Sequence, residues 1–125
     1  MKSRMLDAIR SELWEMRPEA LASWIASLDA VEPVESSPRL PKTDGGIGLI
    51  TIQGVIGHRP GAGYHANTYS ADISDWLRKM AANPSIGAIV LDIDSPGGTV
   101  AGLAEAADTI NDVKSIKPVY AVANP

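Results

Sequence analysis

Leu91-Asp92-Ile93-Asp94-Ser95-Pro96-Gly97-Gly98-Thr99-Val100 is the stretch from which the fold is read. An apolar run ends at Ile93, the chain turns, and a helical pattern follows. Pro96 pushes Ser95 toward an extended conformation. Gly97 and Gly98 permit backbone angles that a β-carbon would forbid, and they let another group approach the main chain. The pattern predicts their N–H groups at or just before a helix N-terminus, where unpaired donors and the dipole favour negative charge. Such a place can stabilise the oxyanion formed when a nucleophile attacks a carbonyl. One donor of that kind typically contributes about 2.7–4 kcal/mol to the transition state. The same spacing also fits a phosphate cradle, or a plain tight turn with a helix cap.

Working outward, Gly87–Ile93 reads as a buried strand. Val100, Leu103, Ala104, Ala107, Ile110 and Val113 repeat at helical spacing and predict a helix to about Lys114. Pro118–Ala123 begins another strand. On the other side, Gly46–Ile56 is rich in β-branched residues and apolar on both faces, which predicts a strand buried on both sides. Residues 57–69 read as a loop. Ile73, Trp76, Leu77 and Met80 then stripe a helix through about Ala82, with Asp72 and Asp75 near its start and Arg78 and Lys79 near its end. Strand, helix, strand, helix, strand predicts an α/β domain with parallel strands and crossover helices.

The first 31 residues read differently. Leu6, Ile9, Leu13 and Met16 fall at helical spacing, and Leu21, Trp24, Ile25 and Leu28 form a second stripe after Pro18. They predict a short helical N-terminal extension over 1–31. Residues 32–45, with three prolines and two serines, read as a linker, which leaves 46–125 as the main domain.

Composition narrows the function classes. The formal net charge is -4, so no basic footprint for nucleic acid is present. Without cysteine, disulfides and thiolate metal sites are excluded. No apolar run reaches the roughly 18 residues of a membrane span, and no continuous apolar stretch near the N-terminus suits a secretory signal. The expectation is a cytosolic protein with no metal and no cofactor.

Val90-Leu91-Asp92-Ile93-Asp94-Ser95-Pro96-Gly97-Gly98 resembles the corresponding segment of the signal peptide peptidase A and phage minor capsid protein C family of serine peptidases. Its Ser-Pro-Gly-Gly core is similar to one in the Clp protease proteolytic subunit. Gly48–Ile56 resembles that family's first core strand, Pro84–Val90 its lead-in to the motif, and Lys117–Asn124 the strand leading to the nucleophile. Trp14-Glu15-Met16-Arg17-Pro18-Glu19 resembles the N-terminal stretch of phage and prophage members.

The resemblance implies a ClpP/crotonase-like fold, of which 46–125 is the N-terminal part. It implies that Gly97 and Gly98 supply the oxyanion hole. It also implies a Ser–Lys dyad whose two positions fall after Asn124, so that no catalytic nucleophile or base stands in these residues. A desolvated lysine has a lowered pKa and accepts the serine proton in such a dyad. The implied activity is peptide-bond hydrolysis of the capsid-maturation type in the bacterial host cytosol, on scaffold or portal proteins, by a homo-oligomer. The isolated chain is expected to be inactive. Two other readings stay open: a non-catalytic module that pairs with full-length subunits through a strand edge, and a crotonase-like acyl-CoA-binding protein.

Several residues invite other roles. Ser95 lacks a Gly-x-Ser-x-Gly elbow and is expected to bond within the turn. Asp92 and Asp94 share a strand face but have no accompanying ligand cluster. His58 and His65 read as solvated loop residues. Gly61-Ala62-Gly63 is a fragment of a dinucleotide pattern without its strand–helix setting. Lys114 and Lys117 suit a helix C-terminal end. Trp14, Trp24 and Trp76 are expected to pack on helical apolar stripes.

Overall fold

A computed structural model describes residues 2–30, 40–61 and 64–124. In chain order the elements are α1 (Lys2–Ser11), β1 (Trp14–Met16), α2 (Pro18–Ala30), β2 (Lys42–Asp44), β3 (Ile47–Gln53), β4 (Ile56–Gly57), β5 (Thr68–Tyr69), α3 (Ser70–Ala82), β6 (Ala88–Asp94), β7 (Gly97–Thr99), α4 (Leu103–Lys114) and β8 (Val119–Ala123). The architecture is mixed α/β with parallel strands, compatible with the expected ClpP-like domain.

The strands form two four-stranded sheets, β2-β3-β6-β8 and β1-β7-β4-β5. In the larger sheet β3, β6 and β8 run parallel, joined by connections that contain α3 and α4. Helices bridge parallel neighbours because a parallel crossover must return the chain to the sheet's starting end. Ile50 pairs with Leu91 and Ile52 with Ile93, so one face of the sheet presents a row of branched apolar side chains. Ile73, Leu77 and Met80 of α3 and Val113 of α4 close over that row. Ile50, Leu77 and Ile89 are each 0% exposed and form the centre of the core. Arg78 of α3 donates from Nη2 to Thr109 Oγ1 of α4 at 3.1 Å, joining the helices where they meet.

The opposite face differs from expectation. β3 was expected to be buried on both sides, but its side chains alternate between buried and more exposed positions. Ile47, Tyr120 and Val122 stay open to solvent. The two crossover helices lie over one face, and among the described residues nothing covers the other to the same degree.

The expected strand Gly46–Ile56 also divides. Gly54 adopts φ +68, and Ile56–Gly57 becomes β4 in the second sheet. Asn67 holds the kink by accepting the Val55 N–H at its Oδ1, 2.9 Å away. Ahead of β3, the end of the stretch read as a linker is ordered: Lys42–Asp44 pairs antiparallel with β3 through Gly45-Gly46. Both glycines have positive φ (57° and 83°), as a two-residue hairpin turn demands. The expected linker residues 32–39 lie outside the described residues.

In the first 31 residues, α1 and α2 follow the expected helices, but Trp14–Met16 between them is a strand. Pro18 disfavours the helical region for Arg17, and the chain enters α2 from an extended approach. Leu13 and Met16, assigned to the helical stripe of α1, therefore leave it. Trp14 lies on β1 instead of on a helical stripe, and it packs against Trp24 of α2 and against Tyr64, with ring centroids 5.3 and 5.5 Å apart.

Candidate active site

β6 ends at Asp94 and the chain crosses to the second sheet through Ser95 and Pro96. The kink at Gly54 lies alongside. Gly54 N–H donates to the Asp94 carbonyl at 2.9 Å, and Asn124 N–H donates to the Ile93 carbonyl at 2.7 Å. Thus the C-terminal ends of β3, β6 and β8 meet in one place. In open α/β sheets this edge is where ligands bind.

Ser95 fixes the turn. Its Oγ lies 2.6 Å from the Gly54 carbonyl oxygen, to which it donates, and it accepts the Gly97 N–H at 3.1 Å. The expected role in turn hydrogen bonding is therefore seen directly. Its hydroxyl proton is directed at a carbonyl, and among the described residues its hydrogen-bond partners are backbone groups of Gly54 and Gly97.

Gly97 and Gly98 lie in strand β7, not at a helix start. Thr99 to Gly102 intervene before α4 begins at Leu103. The reason lies outside the motif: β7 is captured from both sides. Trp14, Glu15 and Met16 of β1 pair antiparallel with Thr99, Gly98 and Gly97, and Ile56 of β4 pairs parallel with Gly98. Val100 then donates to the Leu13 carbonyl at 2.8 Å, which prolongs the extended path. Gly102, at φ +84, turns the chain into the helix. The helix dipole accordingly does not act on Gly97 or Gly98 from the adjacent turn.

Both glycines are required by packing. Gly97 has φ +115, and a β-carbon there would collide with the Glu15 carbonyl; one on Gly98 would collide with the Ile56 carbonyl. Their donors are engaged. Gly97 N–H goes to Ser95 Oγ. Since Val100 and Leu13 form a hydrogen-bonded pair, the alternation of an antiparallel ladder makes Gly98 and Glu15 the next such pair. The Gly98 N–H is thus directed at the Glu15 carbonyl.

On the exposed face at the same sheet end, Thr51, Gln53, Asp92, Asp94 and Asn124 line a small polar depression. Asn124 Nδ2 donates to Asp92 Oδ1 at 2.6 Å. No group of three or more His, Cys, Asp or Glu suited to a metal occurs among the described residues.

The other singled-out residues lie apart from the glycines' donors. His65 is exposed. His58 is half-buried rather than solvated, with Nδ1 lacking a hydrogen-bond partner beside Gly102 and Ser70. Lys114 is exposed, and Lys117 donates from Nζ to the carbonyls of Met80 and Asn83 at the end of α3. Trp76 packs on the core from α3 as expected. Gly61 has φ +91 in an open turn, and Ala62 and Gly63 lie outside the described residues.

Sequence reasoning missed Trp14 and Tyr64 as elements of this neighbourhood. Together with Trp24 they form a three-ring cluster that holds β1 on β7. Burial, and secondarily Glu12 and Tyr69, push the Tyr64 pKa up to about 12. The available signal was Pro18, which argues against helix at Arg17.

The parallel sheet with the glycine strand at its C-terminal edge is compatible with a ClpP-like α/β domain, and over the stretch it spans the chain is homologous to phage capsid assembly proteins. It is 35% identical over 124 residues, 98% of its length, to the capsid assembly protease C of Escherichia phage lambda, of which it covers 28%. It is 33% identical over 88 residues, 69% of its length, to the head-tail preconnector protein GP5 of Enterobacteria phage P21, of which it covers 18%. No protein-family model matches the chain. No helix among the described residues is long and apolar enough to cross a membrane.

Proposed function

We propose that the chain forms the front part of a capsid-maturation serine peptidase, in which the backbone of Gly97 and Gly98 receives the carbonyl oxygen of the scissile bond. The observation that carries this reading is the position of the two glycines, on a strand leaving the C-terminal edge of a parallel sheet. A strand holds such a donor in a fixed direction, so that once released from the Glu15 carbonyl the Gly98 N–H can stabilise charge as it develops. The Ser–Lys pair of the intact family falls outside these residues, so the 125 residues show no turnover alone. The expected setting is the host cytosol, with capsid scaffold or portal as substrate and a homo-oligomeric assembly. Residues 46–125 form the peptidase part, and 1–31 precede it as an extension.

A chimera tests the assignment. This chain replaces the aligned stretch of the lambda capsid assembly protease C, and cleavage of a scaffold-derived peptide is measured beside the isolated chain. Cleavage by the chimera and none by the isolated chain is the expected result. A folded, assembled chimera without activity overturns the peptidase assignment, and turnover by the isolated chain overturns its inactivity.

A second reading has one observation in its favour. β8 is the terminal strand of its sheet, with Tyr120 and Val122 more than half exposed. An open strand edge invites another chain, so a non-catalytic module pairing with full-length subunits has a surface available. Co-elution with protease C, lost on Val122→Pro, is expected from that role.

A further inference from the structure

β1 ends its sheet, and β7 is the strand it covers. Take β1 away, and the donors of Gly98 and Val100 and the acceptor of Gly98 face outward as an unpaired strand edge. Such an edge recognises an extended peptide by main-chain hydrogen bonds, with alternate side chains setting specificity. The covering strand is short, with three register pairs against seven between β3 and β6. Leu13, which accepts from Val100, is itself 74% exposed. What fixes β1 is chiefly Trp14: its ring lies on Trp24 and Tyr64, and its Nε1 donates to the Ile9 carbonyl at 2.8 Å.

We propose that β1 is a displaceable strap on a peptide-docking edge: it occupies the place where an extended substrate segment pairs with β7, and its departure frees the Gly98 N–H. The inference rests on the assignment of Gly97 and Gly98 to the acyl oxygen, and it explains why that donor is engaged in the chain as it stands. The strap also indicates what the edge accepts. Trp14 and Met16 are half-buried opposite Thr99 and Gly97, whereas Glu15 is exposed opposite Gly98. The docking segment is therefore an apolar–polar–apolar triplet in extended form, running antiparallel to β7. Strap and substrate compete, so the apparent affinity for peptide is the intrinsic one reduced by the fraction of molecules with the strap open.

The test uses the full chain. Glu15→Pro removes the N–H that pairs with Gly98 and disfavours strand pairing at that position. A fluorescent peptide with the sequence of residues 11–19 is titrated into wild type and Glu15→Pro, with a scrambled peptide as control. Binding at least ten-fold tighter to the variant is expected; equal affinity, or none for either, overturns the strap. Hydrogen exchange on wild type is an independent measure should the variant fail to fold. The amides of Gly98 and Val100 are expected to exchange at least ten-fold faster than those of Ile50 and Leu91, through local opening. Exchange of all four at one common rate overturns the proposal. In the lambda chimera, Glu15→Pro raises turnover at low substrate. Peptide binding without that gain counts against the acyl-oxygen assignment and leaves the strap standing.

Discussion

Ser95 and Gly54 tie together the two points at which the chain leaves the parallel sheet, through a 2.6 Å hydrogen bond from the hydroxyl to the carbonyl. The same hydroxyl accepts the Gly97 N–H at 3.1 Å. Ser95 therefore sets the path into β7 and is placed for that, not for attack on a substrate. Ser95→Ala leaves the Gly54 carbonyl and the Gly97 N–H without this partner. A loss of about 1–3 kcal/mol is expected for half-buried groups left unpaired. Urea unfolding of the isolated chain measures it. In the active chimera the variant retains turnover, whereas loss of a nucleophile would abolish it.

Gly98 and Gly48 make a sharper pair, because both lack room for a β-carbon but for different reasons. At Gly98 the obstacle is the Ile56 backbone carbonyl, inside a paired strand. At Gly48 it is the end of the Met80 side chain, which has several rotatable bonds with which to yield. Gly98→Ala is expected to cost about 3 kcal/mol or more, since it overpacks against main chain. Gly48→Ala is expected to cost under about 1.5 kcal/mol. Melting temperatures of the two variants check the order; a reversed order would show that β7 is not held between β1 and β4.

The larger sheet was legible because its signals are local. The β-branched run at Ile47–Ile52 and the stripe Ile73, Leu77, Met80 each fix an element without reference to anything distant, and the spacing of Ile110 and Val113 places α4. The start of α4 and the state of Gly97-Gly98 were not legible. They depend on Trp14–Met16, more than eighty positions away in the chain, and no periodicity reports a partner at that distance. Gly-Gly after a strand fits a helix start when read alone; it becomes a strand because β1 and β4 satisfy its backbone groups from both sides. The resemblance singled out Gly97 and Gly98, while their placement before a helix came from a pattern that tertiary pairing overrides. The open face of β3 shows the same limit. A continuous apolar run says that burial is favourable, and cannot say whether these residues supply both covers.

Leu77 tests the core that legibility identified. It is 0% exposed between Ile50, Ile89 and the α4 residues of the same cluster. Leu77→Ala removes that packing and leaves a cavity which the sheet below cannot close. A loss of about 2–5 kcal/mol is expected, a large fraction of the roughly 5–15 kcal/mol by which domains are stable. Thermal unfolding by circular dichroism reads it directly.

Tyr64 links the strap to pH. Its pKa is raised from 10.0 to about 12, first by burial and then by Glu12 and Tyr69. The folded state thus favours the neutral phenol. A raised pKa in an acid that is neutral when protonated gives stability that is complete below the unfolded value and lost as pH climbs toward the folded one. The window is therefore about pH 10 to 12. Within it, the phenolate has to form beside Trp14 and Trp24, 5.5 and 5.9 Å away between ring centroids. The expected result is a red shift of tryptophan emission across that window as the cluster opens to water. Tyr64→Phe keeps the ring and removes the proton, so its emission should hold steady where the wild type shifts. An equal shift in both proteins would place the alkaline transition elsewhere in the chain.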